Sequence, residues 1–159
     1  MEGLTNKEME LLNVGAQQKT EVIVADDGSQ MLMELTGNTQ IAYCSLKANT
    51  IEEKKKLYNA QNSPDGKLSD MINMEIKVKD VYVEIVKLTY QNTGEEINAP
   101  RIVLIDNEGK SYQCVSIGIF KCLAKIFNLF GTPDKWGSHL SLKVKQVKTS
   151  KGSALTLEF

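Results

Sequence analysis

The side chains of this chain that could act on a ligand are aromatic rings and basic groups in predicted β-strands. Flat rings can stack on the bases of single-stranded nucleic acids, and cations beside them can pair with phosphates. Considered alone, each tyrosine could equally be a half-buried residue that packs against the core. Each basic side chain could equally be on the surface, in contact with water and with no ligand. The candidate rings are Tyr82, Tyr90 and Tyr112. The candidate cations are Lys77, Lys79, Arg101, Lys110, Lys143 and Lys145.

Groups suited to catalysis or metal binding are sparse. Three cysteines, Cys44, Cys114 and Cys122, and the single His139 have no spacing typical of a metal site. No nucleophile is paired with a base, and no glycine-rich loop could hold a phosphate. We therefore expect a binding protein without catalysis, cofactor or metal, and with reduced thiols.

The charge of the chain is uneven along its length. The net charge is −1, but residues 1–70 hold seven lysines against eleven acids, and residues 71–159 hold twelve basic groups against nine acids. Five lysines and no acid lie between Asp134 and Glu158. Such a basic stripe could follow a phosphate backbone, although a solvated strand face is the alternative. No apolar run could span a membrane and no secretory signal begins the chain, so we expect a cytoplasmic protein.

The element that must position most of these side chains is residues 72–90. It is rich in β-branched residues and contains no Pro or Gly, which predicts one long strand. Its apolar alternation changes phase at Lys79 and Asp80, which predicts a β-bulge that bends the strand. On this pattern Tyr82 faces away from the core formed by its apolar neighbours.

The other predicted elements follow from periodicity and cap signals. Thr50 and Glu53 have capping-box spacing, which predicts a helix that ends near Ala60. A second helix over residues 117–130 has an apolar stripe, in which we expect the phenylalanines at 120, 127 and 130 to be core. A short amphipathic helix is predicted near the N-terminus, within residues 5–15. Strands are predicted over residues 21–24, 30–36, 40–46, 101–106, 110–116, 140–148 and 154–159.

The order of these elements indicates a fold. From residue 72 the chain runs through three strands, a helix and two more strands, which is the order of an OB-fold. We therefore predict a mainly β protein with helices (β+α). Residues 49–159 are predicted to form an OB-fold-like five-stranded barrel, a fold that commonly binds single-stranded nucleic acid. Residues 1–48 form a β-rich N-terminal extension that packs on the barrel or extends it.

Five stretches also carry a resemblance to a known family. They keep their order and cover about two thirds of the chain: CSLKANT (44–50), KKLYNAQNSPDGKLSDMI (55–72), KVKDVYVEIV (77–86), APRIVLIDNEGKSYQCVSIGIF (99–120) and VKQVKTSKGSALTLEF (144–159). In these stretches the chain resembles the single-stranded DNA-binding proteins of small tailed phages of Gram-positive bacteria, those with protein-primed replication.

The resemblance implies a fold, a function and site residues. It implies an OB-like fold, no catalysis, and coating of displaced single strands during phage DNA replication in the host cell cytoplasm. Single-stranded DNA is then the partner, with phage replication proteins as further candidates. The family's exposed tyrosine after the central hairpin corresponds to Tyr112, and one near the end of the long strand corresponds to Tyr90.

Residues 1–40 match this family least, and they leave two questions open. Together with the acidic first half, they allow an alternative function, in which a phage protein binds and inhibits a host protein. They also contain apolar side chains that a small barrel cannot all cover: Met9, Leu11, Leu12 and Val14. We predict that residues 1–20 pack against another subunit in a homo-oligomer; the competing view is that they fold back on their own barrel or stay loose.

Overall fold

The computed structural model describes residues 19–24, 30–35, 40–150 and 152–159, with side chains from residue 41 onward. The helix predicted within residues 5–15 lies outside these ranges. The helices are α1 (Ile51–Asn62) and α2 (Ile117–Phe130), and short 3₁₀ turns cover Leu68–Met71 and Pro133–Lys135. The strands are β1 (Lys19–Val24), β2 (Gln30–Leu35), β3 (Gln40–Cys44), β4 (Gly66–Lys67), β5 (Glu75–Tyr90), β6 (Glu96–Asp106), β7 (Ser111–Val115), β8 (Leu140–Thr149) and β9 (Gly152–Glu158).

The long strand β5 organises the sheet. One edge pairs with β6 along most of its length, and the other edge pairs in turn with β8, β3 and β2. The register with β6 shifts by one residue between Val78 and Asp80, so the predicted bulge is confirmed. The strand begins at Glu75, later than predicted, because Asn73 adopts a positive φ of 67° in the turn before it.

The five C-terminal strands form a half-barrel. Their order is β7-β6-β5-β8-β9, and neighbours in this order are antiparallel. In the part of the chain that the structure describes, β7 and β9 share no ladder. The free edge of β7 instead pairs in parallel with the two-residue strand β4. The sheet is therefore open and mixed, with two helices, and the predicted five-stranded barrel is not confirmed.

The sheet is covered on both faces, and β6 shows this most clearly. Four consecutive apolar residues, Ile102–Ile105, are typical of a strand that is covered on both faces, and all four side chains are buried. Ile102 and Leu104 join the main core, which α2 covers with Ile119, Leu123 and Ile126. Val103 and Ile105 lie on the opposite face beneath α1, with Ala60.

Both helices begin where the sequence predicts. The Glu53 N–H donates to Thr50 Oγ1 and the Thr50 N–H donates to Glu53 Oε1, each at 3.1 Å, so the predicted capping box starts α1. Ser116 Oγ accepts from the N–H of Ile119 at 3.0 Å and starts α2. Gly131, with φ at 81°, ends α2, since this left-handed conformation favours glycine.

The apolar stripe of α2 is narrower than predicted. Phe127 packs against the main core as expected. Phe120 is 40% exposed and Phe130 is 45% exposed, so their predicted core role is wrong. The ring of Phe130 contacts that of Phe159, with centroids 5.1 Å apart, at the surface. The buried residues of α2 are Ile119, Leu123 and Ile126, so its contact with the sheet is narrower than its apolar stripe.

Candidate nucleic-acid interface

Tyr82 is in the interior of the protein. Only 1% of this residue is exposed. Its hydroxyl donates to Glu84 Oε2 at 2.7 Å and accepts from Gln61 Nε2 at 3.3 Å. Burial, and next the nearby Glu84 carboxylate, raise the pKa of Tyr82. As the alternation of β5 predicts, the side chain of Tyr82 faces away from the main core. Because α1 covers that face of the sheet, a base cannot reach the ring.

Arg101 is also buried, at 4% exposure, and is fully engaged. Its Nη1 donates to Glu84 Oε1 at 2.9 Å. Its Nε and Nη2 donate to Gln113 Oε1 at 3.0 and 2.9 Å. The three residues lie on β5, β6 and β7, so the arginine ties neighbouring strands together. Because the guanidinium is buried and hydrogen-bonded within the protein, its position disfavours the predicted contact with a phosphate.

Tyr112 and Tyr90 are half-buried residues. Tyr112 pairs across the ladder with Leu104 and packs against the main core. Gly66 of β4 lies beside its ring, so that a Cβ at this glycine would be 3.5 Å from Tyr112 Cδ1. Tyr90 ends β5, where its carbonyl accepts from the N–H of Gly94 at 2.9 Å and closes the turn to β6. Both tyrosines therefore remain candidates for stacking.

Three of the candidate lysines share the outward face of β5 and β8. In this ladder Glu75 pairs with Lys143 and Lys77 pairs with Ser141, so the two lysines are diagonal neighbours. Lys145 follows on the same face of β8, and its Nζ donates to Asn73 Oδ1 at 3.2 Å. We call Lys77, Lys143 and Lys145 the β5–β8 lysine face.

Acids moderate the charge of this face. In the strand registers Lys143 lies opposite Glu75 of β5 and opposite Glu158 of β9. The Nζ of Lys145 is 3.9 Å from Glu158 Oε1, and both side chains are more than a third exposed. Ion pairs this exposed contribute little in water, so incoming phosphates can compete with these carboxylates for the lysines.

Lys79 and Lys110 are exposed at a second place, near the β6–β7 hairpin. Lys79 lies at the bulge and lines a cleft between α1 and this hairpin. Lys110 follows Gly109, and its N–H donates to Asp106 Oδ1 at 2.9 Å within the turn. Apart from the buried Arg101, the sequence-predicted cations are therefore divided between two surfaces.

Two aromatic features were not predicted as sites. The rings of Tyr43, Phe127 and Trp136 form a half-buried cluster, with centroids 5.1 and 5.9 Å apart. Strand pairing between β3 and β5 brings Tyr43 to the core edge near α2, which no local pattern reveals. Tyr58 is mostly exposed on α1. Its neighbour Leu57 takes the inward position.

Other kinds of site are not found in the described ranges. No group of three His, Cys, Asp or Glu side chains there could hold a metal ion. The three cysteines are free thiols. No helix within these ranges is long and apolar enough to cross a membrane.

A comparison with protein families decides between the possible classes of protein. A family model described as "Phage Single-stranded DNA-binding protein" matches residues 36–159, well over half of the chain. The chain belongs to this family. The match confirms the resemblance seen in the sequence, and membership makes the protein a DNA-binding protein and not an enzyme. Neither the curated proteins nor the solved structures gave a match.

The matched region also bears on the organisation of the chain. It begins at residue 36, so the family region includes β3 as well as α1. The predicted boundary at residues 48 and 49 falls between these two elements and stays a prediction. Because β3 pairs with β5 and carries Tyr43 to the main core, it packs as part of the half-barrel.

Proposed function

We propose that this protein coats displaced single strands during phage DNA replication, without sequence preference, in the cytoplasm of the host cell. Membership of the phage family is the observation that carries this proposal. The strand order of an OB-fold, which is a common scaffold for single-strand binding, supports it. We regard the half-barrel as an OB-like fold whose closing edge is occupied by β4.

The chemistry proposed for binding is stacking with phosphate contacts. Tyr112 and Tyr90 are half-buried residues with flat rings, and every base has a face that can stack on them, which makes the contact sequence-tolerant. Lys77, Lys143 and Lys145 on the β5–β8 lysine face, with Lys79 and Lys110 at the hairpin, supply cations for the phosphates. Tyr82 and Arg101 are left out of this proposal because their side chains are buried.

The direct test is a titration of the full chain with oligo-dT, followed by intrinsic fluorescence. We expect quenching that weakens as salt is added, because phosphate contacts release counterions. A duplex of equal length should bind more weakly, since its bases cannot reach the rings. Absence of binding at low salt contradicts the proposal and favours the alternative, a phage protein that binds and inhibits a host protein.

The β5–β8 lysine face gives a sharper prediction. Replacing both Lys143 and Lys145 with Gln should lower affinity equally for all sequences and flatten the salt dependence. Each lost phosphate contact removes about 0.7 from the slope on a single strand. The matched control replaces Lys121 and Lys125 with Gln, since these lysines are exposed on α2. An unchanged slope in the β8 variant would place the bound strand elsewhere.

We also propose that residues 1–20 join copies of this chain into a homo-oligomer, as the apolar Met9, Leu11, Leu12 and Val14 predict. Light scattering should give an oligomer for the full chain at tens of micromolar. A chain that begins at Thr20 should have a lower mass. A full-length monomer at this concentration excludes the idea. Phage replication proteins remain candidate partners under the same proposal.

A further inference from the structure

The tyrosine ring most open to solvent is on α1, away from the predicted site. Tyr58 is 61% exposed, while Tyr43, Tyr82, Tyr90 and Tyr112 are all buried or half-buried. Its neighbour on the same helix, Ile51, is 72% exposed. Single exposed apolar side chains are common on protein surfaces. The groups around Tyr58 therefore decide whether its exposure has a role.

Two lysines flank this ring. Lys54 and Lys55 precede Tyr58 by four and three residues, and side chains at these spacings are neighbours on a helix surface, about 5–6 Å apart between Cβ atoms. Together with Ile51 and Asn59 they line one shallow depression. Lys55 contacts Glu52 at 3.5 Å, but both side chains are more than two-thirds exposed, so this pair is weak in water. A base on the ring would have cations within reach of its phosphate.

The depression continues toward the cations already assigned to binding. Asn59 lines it and also lines the cleft between α1 and the β6–β7 hairpin, where Lys56 and Lys79 are found. The hairpin also carries Lys110 beyond this cleft. A strand bound at Lys79 can therefore reach Tyr58 along a continuous surface.

The same cleft also contains acidic side chains, and they limit the path that a bound DNA strand can take through it. Asp65 Oδ2 accepts from the N–H of Ser111 at 2.8 Å, and Asp106 Oδ1 accepts from the N–H groups of Glu108 and Lys110 at 2.9 Å. These carboxylates hold the loops in place and repel phosphate. The strand is therefore expected to pass from Lys79 to the lysines of α1 and to avoid these carboxylates.

We propose that Tyr58, flanked by Lys54 and Lys55, stacks on one base of bound single-stranded DNA and extends the binding path over the outer face of α1. This inference rests on the proposed function and adds a site to it. The ligand class is single-stranded nucleic acid, because a flat ring between cations meets both of its repeating chemical groups.

The test uses the full chain and an oligo-dT long enough to cover both surfaces. Tyr58→Ala should weaken binding about five-fold or more, since stacking on one base is worth at least this factor. Tyr58→Phe keeps the ring and should bind like the unchanged protein. Leu129→Ala is the matched control, because Leu129 is 77% exposed on α2 and should not affect binding. Circular dichroism should show all three variants folded.

The possible outcomes separate this inference from the proposed function. If the unchanged protein binds and Tyr58→Ala binds equally well, the stacking site is overturned and the function stands. If Tyr58→Phe loses as much affinity as Tyr58→Ala, the hydroxyl and not the ring matters, which also overturns the stacking site. If the unchanged protein does not bind at all, the function itself fails. Replacing Lys54 and Lys55 with Gln should flatten the salt dependence by up to about 0.7 per lost contact.

Discussion

Replacing Arg101 with Ala is expected to lower the free energy of unfolding by about 3–5 kcal/mol, because it leaves the Glu84 carboxylate buried without its cation. Glu84 Oε1 loses its 2.9 Å partner, and Gln113 loses both of its donors. Tyr82 still donates to the other oxygen of Glu84, but it cannot balance the charge. Urea unfolding followed by circular dichroism measures the change.

The chain offers a matched control for this prediction. Lys87 and Glu96 form an ion pair between the same two strands, β5 and β6, at 3.0 Å. Both side chains are more than half exposed, so Glu96→Ala should cost no more than about 1 kcal/mol. A double variant with Leu at both Glu84 and Arg101 should recover much of the loss, since it removes both buried charges. Equal costs for the buried and the exposed pair would contradict this account.

Replacing Tyr112 with Leu is expected to weaken oligonucleotide binding by about 1–3 kcal/mol, the contribution of one stacked base. Leucine fills part of the space against Leu104 and Gly66 but offers no flat face. The measurement is a fluorescence titration at fixed salt, because affinities at different salt concentrations cannot be compared.

Stability must be measured on the same Tyr112→Leu protein, since the ring also packs against the main core. Tyr112→Phe is the control, because it keeps both the packing and the ring and should bind normally. A folded Leu variant with unchanged affinity removes Tyr112 from the binding site. A variant that unfolds assigns the residue to the core.

Local sequence patterns predicted the features that depend on local geometry. The bulge in β5 follows from the phase change at Lys79 and Asp80, because a strand alternates with a period of two. The cap of α1 follows from Thr50 and Glu53, whose side chains satisfy each other's backbone groups. The double burial of Ile102–Ile105 follows from four consecutive apolar residues.

The features that the sequence did not predict all depend on contacts between segments that are far apart in the chain. Tyr82 was placed on the correct side of its strand, but its burial depends on α1, which covers that side. The sequence around Arg101 predicts a surface cation, because it does not show that Arg101 lies opposite Glu84 in the ladder between β5 and β6. The predicted five-stranded barrel lacks a ladder between β7 and β9 in the described residues, and Gly66 and Lys67, too few to give a strand pattern, pair with β7 instead. Periodicity carries no information on these distant partners.

The arrangement of β5 has a consequence for how the protein folds. Four strands pair with it: β6 along one edge, and β8, β3 and β2 along the other. Its partners come from both ends of the described chain, so the protein has a high contact order and must close long loops before β5 is complete. Loss of β5 would break four ladders at once. The half-barrel is therefore expected to unfold as a single cooperative unit, with its most persistent amide protons in the middle of this strand.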